Sequence, residues 1–280
     1  MIDLSIVIPA IRPHRWAGVY ESIQKSCTRY SFEIIFVGPY PPPEELKDNP
    51  QIKYIEDWGG SSRSAQIGLG QASGRLLIRG DYDGHFFEGA IDQCIDLLDS
   101  KANKKDGVAL RYREGRDFKG KPMAEGYWYA RFHFPYRHEL LKLIVQNVKK
   151  HGGRPHFESL HLGHDYVVCM NVLTDREYAV NLGGFDCSFE HLGFANHDFC
   201  YRIQRDGGII HLSPVEAINV DFEKGNDHRP IEKCHVQMDF PRFIKMYQDP
   251  DVVNRIKIDF DNWKQSPAVW TRRFPEGKVK

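Results

Sequence analysis

Asp81-Tyr82-Asp83 stands where an apolar run, "RLLIR" (75–79), stops and before a helical period resumes near Phe87. Two carboxylates one residue apart at the end of a buried strand reach one point in space. A hard divalent cation such as Mg²⁺ or Mn²⁺ takes oxygen ligands of this kind and keeps positions open for phosphate oxygens. Gly80 and Gly84 flank the pair and allow both a tight turn and the close approach of a ligand. A plainer reading fits the same residues, with Asp81 capping the next helix and Asp83 turning the chain.

The elements that position this pair alternate. "LSIVIPA" (4–10), "FEIIFVG" (32–38), "IKYIE" (52–56) and "RLLIR" read as strands buried on both faces. Trp16, Val19, Tyr20, Ile23 and Cys27 fall at helical spacing and predict a helix over 15–29; further helices are expected at about 62–72 and 87–99. "PYPPPEEL" is a loop, since consecutive prolines hold no ladder. This order predicts an α/β protein with a mostly parallel central sheet flanked by helices. In such a sheet ligands bind at the carboxyl ends of the strands. Pro9 to Arg12, Gly38-Pro39, Asp57 to Ser62 and Asp81 to Gly84 are therefore expected to share one rim.

Later segments are less regular. "GVALRY" (107–112) and "DYVVCMNVLT" read as one strand each, "ELLKLIVQNVKK" and "HDFCYRIQRDGG" as helices, the second ended by glycine. Between them, 113–135 is charged and then aromatic, which suits either a segment over a cleft or simple packing of Tyr127, Trp128 and Tyr129.

Basic and acidic side chains balance at 38 each, so no overall field draws the protein to nucleic acid or an anionic membrane. A nucleic-acid acceptor is not indicated by charge. No run approaches the roughly 20 apolar residues of a membrane span, and the chain enters a strand at once, so a cytoplasmic location is expected. The six cysteines form no C-x-x-C pair and are expected to be reduced and buried, with neither zinc nor disulfides.

In order, "LSIVIPA", "FEIIFVG" and "SSRSAQIGLGQASGRLLIRGDYDG", then "NLGGFDCSFEHLGFANHDFCYRIQRDGG" (181–208), resemble the motifs of the nucleotide-diphosphosugar glycosyltransferases of the GT-A fold, specifically family 2. The first 90 or so residues and 165–222 carry the resemblance; 113–160 and the tail after 230 do not. It implies a Rossmann-like GT-A domain over 1–230, with 231–280 a helical extension packed on it. It also implies a metal-dependent, inverting transfer of sugar from a nucleotide donor to a glycan or other hydroxyl acceptor. Asp81 and Asp83 would bind the cation and the donor diphosphate. Pro9, Ala10, Arg12, Asp57 and Arg63 would border the nucleoside, although Arg63 also suits an exposed helix position. Asp221 and His228 are the candidates for a further metal ligand; Glu190, His191 and Trp128 are those for the acceptor.

Two departures accompany the resemblance. Where the family has V-D-D-G, with an acid that reads the nucleobase, this chain has Val37-Gly38-Pro39, and Asp57 is the nearest substitute. Where the family has its catalytic base, this chain has Asn196, and an amide is no base. Asp198, then His197, are the expected replacements; a retaining mechanism and a non-catalytic sugar- or nucleotide-binding protein are the other accounts. A sugar nucleotidyltransferase is a weaker alternative, because "PAIRPHRWAG" lacks the glycines of a phosphate cradle.

Overall fold

The computed structural model of the chain describes residues 2–115, 129–133, 165–221, 230, 233, 235–246, 249–266 and 269–274. Strands β1 (Leu4–Pro9), β2 (Phe32–Gly38), β3 (Ile52–Glu56) and β4 (Leu76–Arg79) alternate with helices α1 (Trp16–Ser26) and α2 (Ser61–Gln71). A short strand β5 (Gly84–Phe86), helix α3 (Ala90–Asp99) and strand β6 (Gly107–Gly115) follow. Strands β7 (Tyr129–His133) and β8 (Asp165–Cys169) form a separate antiparallel pair. Then come β9 (Val172–Asp175), α4 (Arg176–Asn181), α5 (Leu192–Arg205) and β10 (Ile210–Asp221). The C-terminal part contributes α6 (Phe240–Met246), α7 (Pro250–Asn254), a 3₁₀ turn at Phe260–Gln265 and α8 (Trp270–Arg273).

Eight strands form one sheet in the order β3-β2-β1-β4-β9-β6-β10-β5. The β1–β2, β2–β3, β1–β4 and β6–β10 pairs are parallel, while β9 and β5 run antiparallel to their neighbours. The α/β fold with a mostly parallel sheet, read from the alternation, is the fold observed. Side-chain alternation explains how both faces are covered. Leu4, Ile6, Ile8, Ile34, Phe36 and Ile78 pack with α1 and α3, whereas Val7, Ile35, Val37 and Leu77 pack with α2, α4 and α5. On the first face Trp16 stacks flat on Phe36, with ring centroids 4.2 Å apart. On the second, Phe243, Ile256 and Phe260 from the C-terminal part join the core.

"DYVVCMNVLT" is not one strand. It breaks at Met170-Asn171, so that β8 pairs with β7 while β9 enters the main sheet between β4 and β6. The strand β5 also escaped a reading by periodicity, because three residues are too few to show one. The segment "ELLKLIVQNVKK", Trp128 and His228 lie outside the described residues. Among the described residues no helix is long and apolar enough to cross a membrane.

The register aligns Pro9 with Val37 and Gly38 with Glu56, and Val7 with Arg79, so the carboxyl ends of β1 to β4 lie side by side. Their approach is closest at Gly38. A Cβ there would come 1.8 Å from the carbonyl oxygen of Ala10. The Gly38 carbonyl also accepts from the Tyr54 hydroxyl (3.1 Å) and the Asp57 amide (3.2 Å). No side chain, an acid included, fits at this position. Gly38→Ala should destabilise the protein by about 3 kcal/mol or more, because backbone and not a pliable side chain must give way. Urea unfolding at constant slope would show it.

Candidate functional site

Beyond β4 the chain turns tightly, with the Gly84 amide donating to the Asp81 carbonyl at 3.0 Å. β5 then pairs with β10, Gly84 opposite Val220. This ladder brings the Asp221 backbone, one residue on, beside the turn that carries Asp83; sequence separation had hidden that proximity.

The two acids of the turn differ. Asp81 accepts from Arg79 Nη1 on one oxygen and from Asn171 Nδ2 (2.9 Å) on the other, with 19% of its side chain exposed. Asp83 retains some accessible surface, but its carboxyl is desolvated. Burial and the neighbouring Asp81 charge push it up to about 7, against the pull of its own backbone amide, Arg15 and Arg12. The like charge of Asp81 thus adds to the cost of ionising Asp83. Arg12 is buried, with its guanidinium 5.9 Å from the centre of the Tyr82 ring. Among the described residues no cluster of three or more His, Cys, Asp or Glu forms a ready metal cage.

Pro9 and Ala10 lie at the end of β1, Ala10 fully buried against Val37 and Gly38. Asp57 accepts from the Gly59 amide and from Arg63 Nε, both at 2.9 Å. Arg63 goes on to donate through Nη1 to the carbonyls of Trp263 and Ser266, each at 2.8 Å. Its guanidinium is thereby committed to bracing the C-terminal 3₁₀ turn, a job that its position on an amphipathic helix did not reveal.

The opposite bank is the loop before α5. The Ser61 amide donates to the Glu190 carbonyl at 3.1 Å, and the Leu192 amide to Ser61 Oγ at 3.0 Å. These bonds staple the start of α2 to Glu190 and His191, so both banks meet at Gly60-Ser61. His191 Nδ1 caps α5 by accepting from the Gly193 amide at 3.1 Å. The Glu190 carboxylate pairs with Arg273 at 3.1 Å. Beneath them Asp239, which burial pushes up to about 6, accepts from the Glu190 and His191 amides at 3.0 and 2.6 Å.

One turn into α5, the three candidates for the base part company. Asn196 is buried, and its Nδ2 meets no acceptor among the described residues. His197 is partly exposed, with Phe194 and Phe243 edge-on to its ring. Asp198 is 1% exposed and accepts from Arg202 Nε at 2.7 Å and from Arg255 Nη2 at 2.8 Å. Burial opposes its charge, but Arg202 and Arg255 outweigh burial and hold the carboxyl below the usual range. A carboxylate gripped in this way by two guanidinium groups braces the fold; it is not placed to accept a substrate proton. Neither Arg255 nor its second partner, Asp186 (2.8 Å), gave a signal in sequence, because both bonds join distant segments.

Removing one member of a buried pair leaves the other uncompensated. Asp198→Asn should therefore cost about 3–5 kcal/mol near neutral pH. Because the folded carboxyl holds its proton less tightly than the unfolded one, this stability is present above about pH 4 and is lost as the pH falls below it. Denaturation curves of wild type and variant taken across that range should converge on the acid side.

Neither a protein-family model nor a curated protein sequence matches the chain. Solved structures do. A structure of GalNAc-T7 with UDP, GalNAc and Mn²⁺ superposes with a TM-score of 0.56 and 15% identity, over 80% of this chain and 44% of that one. Residues 1–349 of S. aureus TarS give a TM-score of 0.56 and 11% identity, over 98% of this chain and 72% of that one. TarS 1–349 in complex with UDP gives 0.53 and 12%, over 99% and 72%. This chain thus spans under half the length of the GalNAc-T7 chain. At such identities the likeness is one of fold, and the fold is the GT-A-like fold of nucleotide-sugar glycosyltransferases.

Proposed function

We propose that the protein is a metal-dependent glycosyltransferase that moves a sugar from a nucleotide-diphosphosugar donor to a hydroxyl acceptor. One observation carries the reading: two carboxyls one residue apart, one of them desolvated, at a strand end of this fold. The fold is shared with proteins crystallised with UDP, in one case with Mn²⁺ as well. The oxygen donors suit Mg²⁺ or Mn²⁺, which commonly take one or two carboxylates and leave other positions to phosphate oxygens. Asp81 and Asp83 are the residues that would hold it. A divalent cation bound there supplies neutralisation of the charge that builds on the departing diphosphate.

Arg12, beside Tyr82, is assigned to the diphosphate. Pro9, Ala10 and Asp57 border the nucleoside, and Arg63 acts only through Asp57. Glu190 and His191, on the opposite bank, face the acceptor in this reading. Inversion requires a base near the acceptor hydroxyl. With Asp198 neutralised and Asn196 an amide, that proton is assigned to His197, the one of the three with partial exposure and a titratable nitrogen. Asn196 also favours a second reading, a protein of this fold that binds donor without turnover.

Thermal unfolding with UDP-, GDP-, dTDP- and CMP-sugars, each with and without Mn²⁺, tests the reading. A native-state ligand at 100 times its Kd adds about 2.7 kcal/mol. One nucleotide class should raise the melting temperature in a metal-dependent way, and Asp83→Asn should abolish that rise while unfolding as cooperatively as wild type. No shift with any donor would sink the proposal. His197→Asn should leave donor binding intact and slow transfer by about 10²- to 10⁴-fold; unaltered turnover would remove His197 from the mechanism, and absent turnover in wild type would favour the second reading.

A further inference from the structure

Arg79 closes β4 with only 4% of its side chain exposed. Its Nη1 donates to Asp81, and its Nη2 donates to the Met170 carbonyl at 2.5 Å. Asn171, fully buried in the break between β8 and β9, donates from one nitrogen to two acceptors, the Arg79 carbonyl at 2.7 Å and Asp81 Oδ2 at 2.9 Å. The amide orientation is forced, since turning it over would set Oδ1 against both of these oxygens. Among the described residues it leaves Asn171 Oδ1 buried without a donor, and Arg79 Nε likewise buried without an acceptor. Unsatisfied buried polar atoms are costly. What these residues do hold is the Asp81 carboxylate, by one bond to each of its oxygens.

We infer that Arg79 and Asn171 are positioning residues for the divalent-cation site, an inference that rests on the glycosyltransferase reading above. One hydrogen bond on each oxygen fixes the plane of the Asp81 carboxylate, and the 19% of the side chain left open is what a cation beside Asp83 would meet. Ligating carboxylates are commonly held from behind in this way, and loss of such a partner lowers metal affinity by about 10- to 100-fold. Arg79 has a second effect. Its charge offsets one of the two carboxylates, which lets them stand together before a cation arrives.

The break between β8 and β9 is where both partners come from: Met170 supplies the carbonyl that accepts from Arg79, and Asn171 the amide that donates to Asp81.

The full-length chain is titrated with Mn²⁺, followed by electron paramagnetic resonance, and with UDP in Mn²⁺ or in EDTA. Asn171→Ala should weaken Mn²⁺ binding about 10- to 100-fold and lose the Mn²⁺-stimulated part of UDP affinity, while UDP affinity in EDTA and the far-ultraviolet spectrum stay as in wild type. A merely structural asparagine would not split the two UDP affinities. Should Asn171→Ala fail to fold, Arg79→Lys keeps the charge but cannot span Asp81 and Met170, and the same split is expected of it. Folded variants that bind Mn²⁺ as wild type does would overturn the inference and leave the proposed function standing. A wild type that binds neither Mn²⁺ nor any of UDP, GDP, dTDP and CMP would overturn both.

Discussion

A fully buried guanidinium has to be compensated, and Arg202 sets the terms for much of the molecule. Its side chain is 0% exposed, donating to Asp198, to the Leu182 carbonyl at 2.8 Å and to the Gly184 carbonyl. Those carbonyls belong to a turn whose glycines adopt left-handed backbone, Gly183 at φ 88° and Gly184 at φ 67°. Nor is there space for side chains: a Cβ on Gly184 would lie 2.1 Å from Gln66 Oε1, and one on Gly183 2.0 Å from the Ile258 carbonyl. Gln66 itself donates to Gly183 and accepts from the Phe185 amide, at 2.9 and 2.7 Å. Arg202 from α5 and Gln66 from α2 thus hold the same turn, and through it the two helices are joined.

The same rule, applied at β4, separates structure from site. Asp198 and Asp186 face Arg202 and Arg255 and are fully answered. Asp81 is answered by Arg79 and Asn171. Asp83 is answered only in part: Arg15 and Arg12 pull on it, but burial and the Asp81 charge outweigh them and push its carboxyl up to about 7. A protein optimised for stability alone would not leave a carboxyl in that condition, and groups so perturbed cluster where ligands bind. The contrast between Asp83 and Asp198 therefore guides the functional reading better than the presence of acids in a motif.

What the sequence revealed follows the range of the interaction. Continuous apolar runs are local, so 4–10 and 32–38 could be read as strands buried on both faces, and the parallel order followed from strands spaced by helices. The acidic pair was visible because both members lie in one turn. The fate of Asp198 was not, since Arg255 is 57 residues away and nothing in "NHDFCYR" points to it. Asn171 was read as the middle of a strand because its neighbours are apolar; the break comes from competition between two sheets, which periodicity does not register. Gly38 was read against a motif acid, and the close approach of the Ala10 backbone, which leaves no room for a Cβ, was not legible.

The C-terminal part bears on the site for the same reason. Trp270 donates from its backbone to the Trp58 carbonyl at 2.9 Å and from its indole to the Tyr40 hydroxyl at 3.2 Å, and it packs against Phe274 beside Ile11. Tyr40, Trp58 and Ile11 follow the ends of β2, β3 and β1, while the adjacent Arg273 reaches Glu190 on the other bank. A segment of a few residues thus ties the ends of β1, β2 and β3 to the loop before α5 with aromatic area and one largely buried ion pair. Neither bank is held in place by the sheet alone. Such contacts join the first residues of the chain to the last, so the rim is completed only when the long-range contacts close, and its geometry depends on residues that carry no recognisable motif.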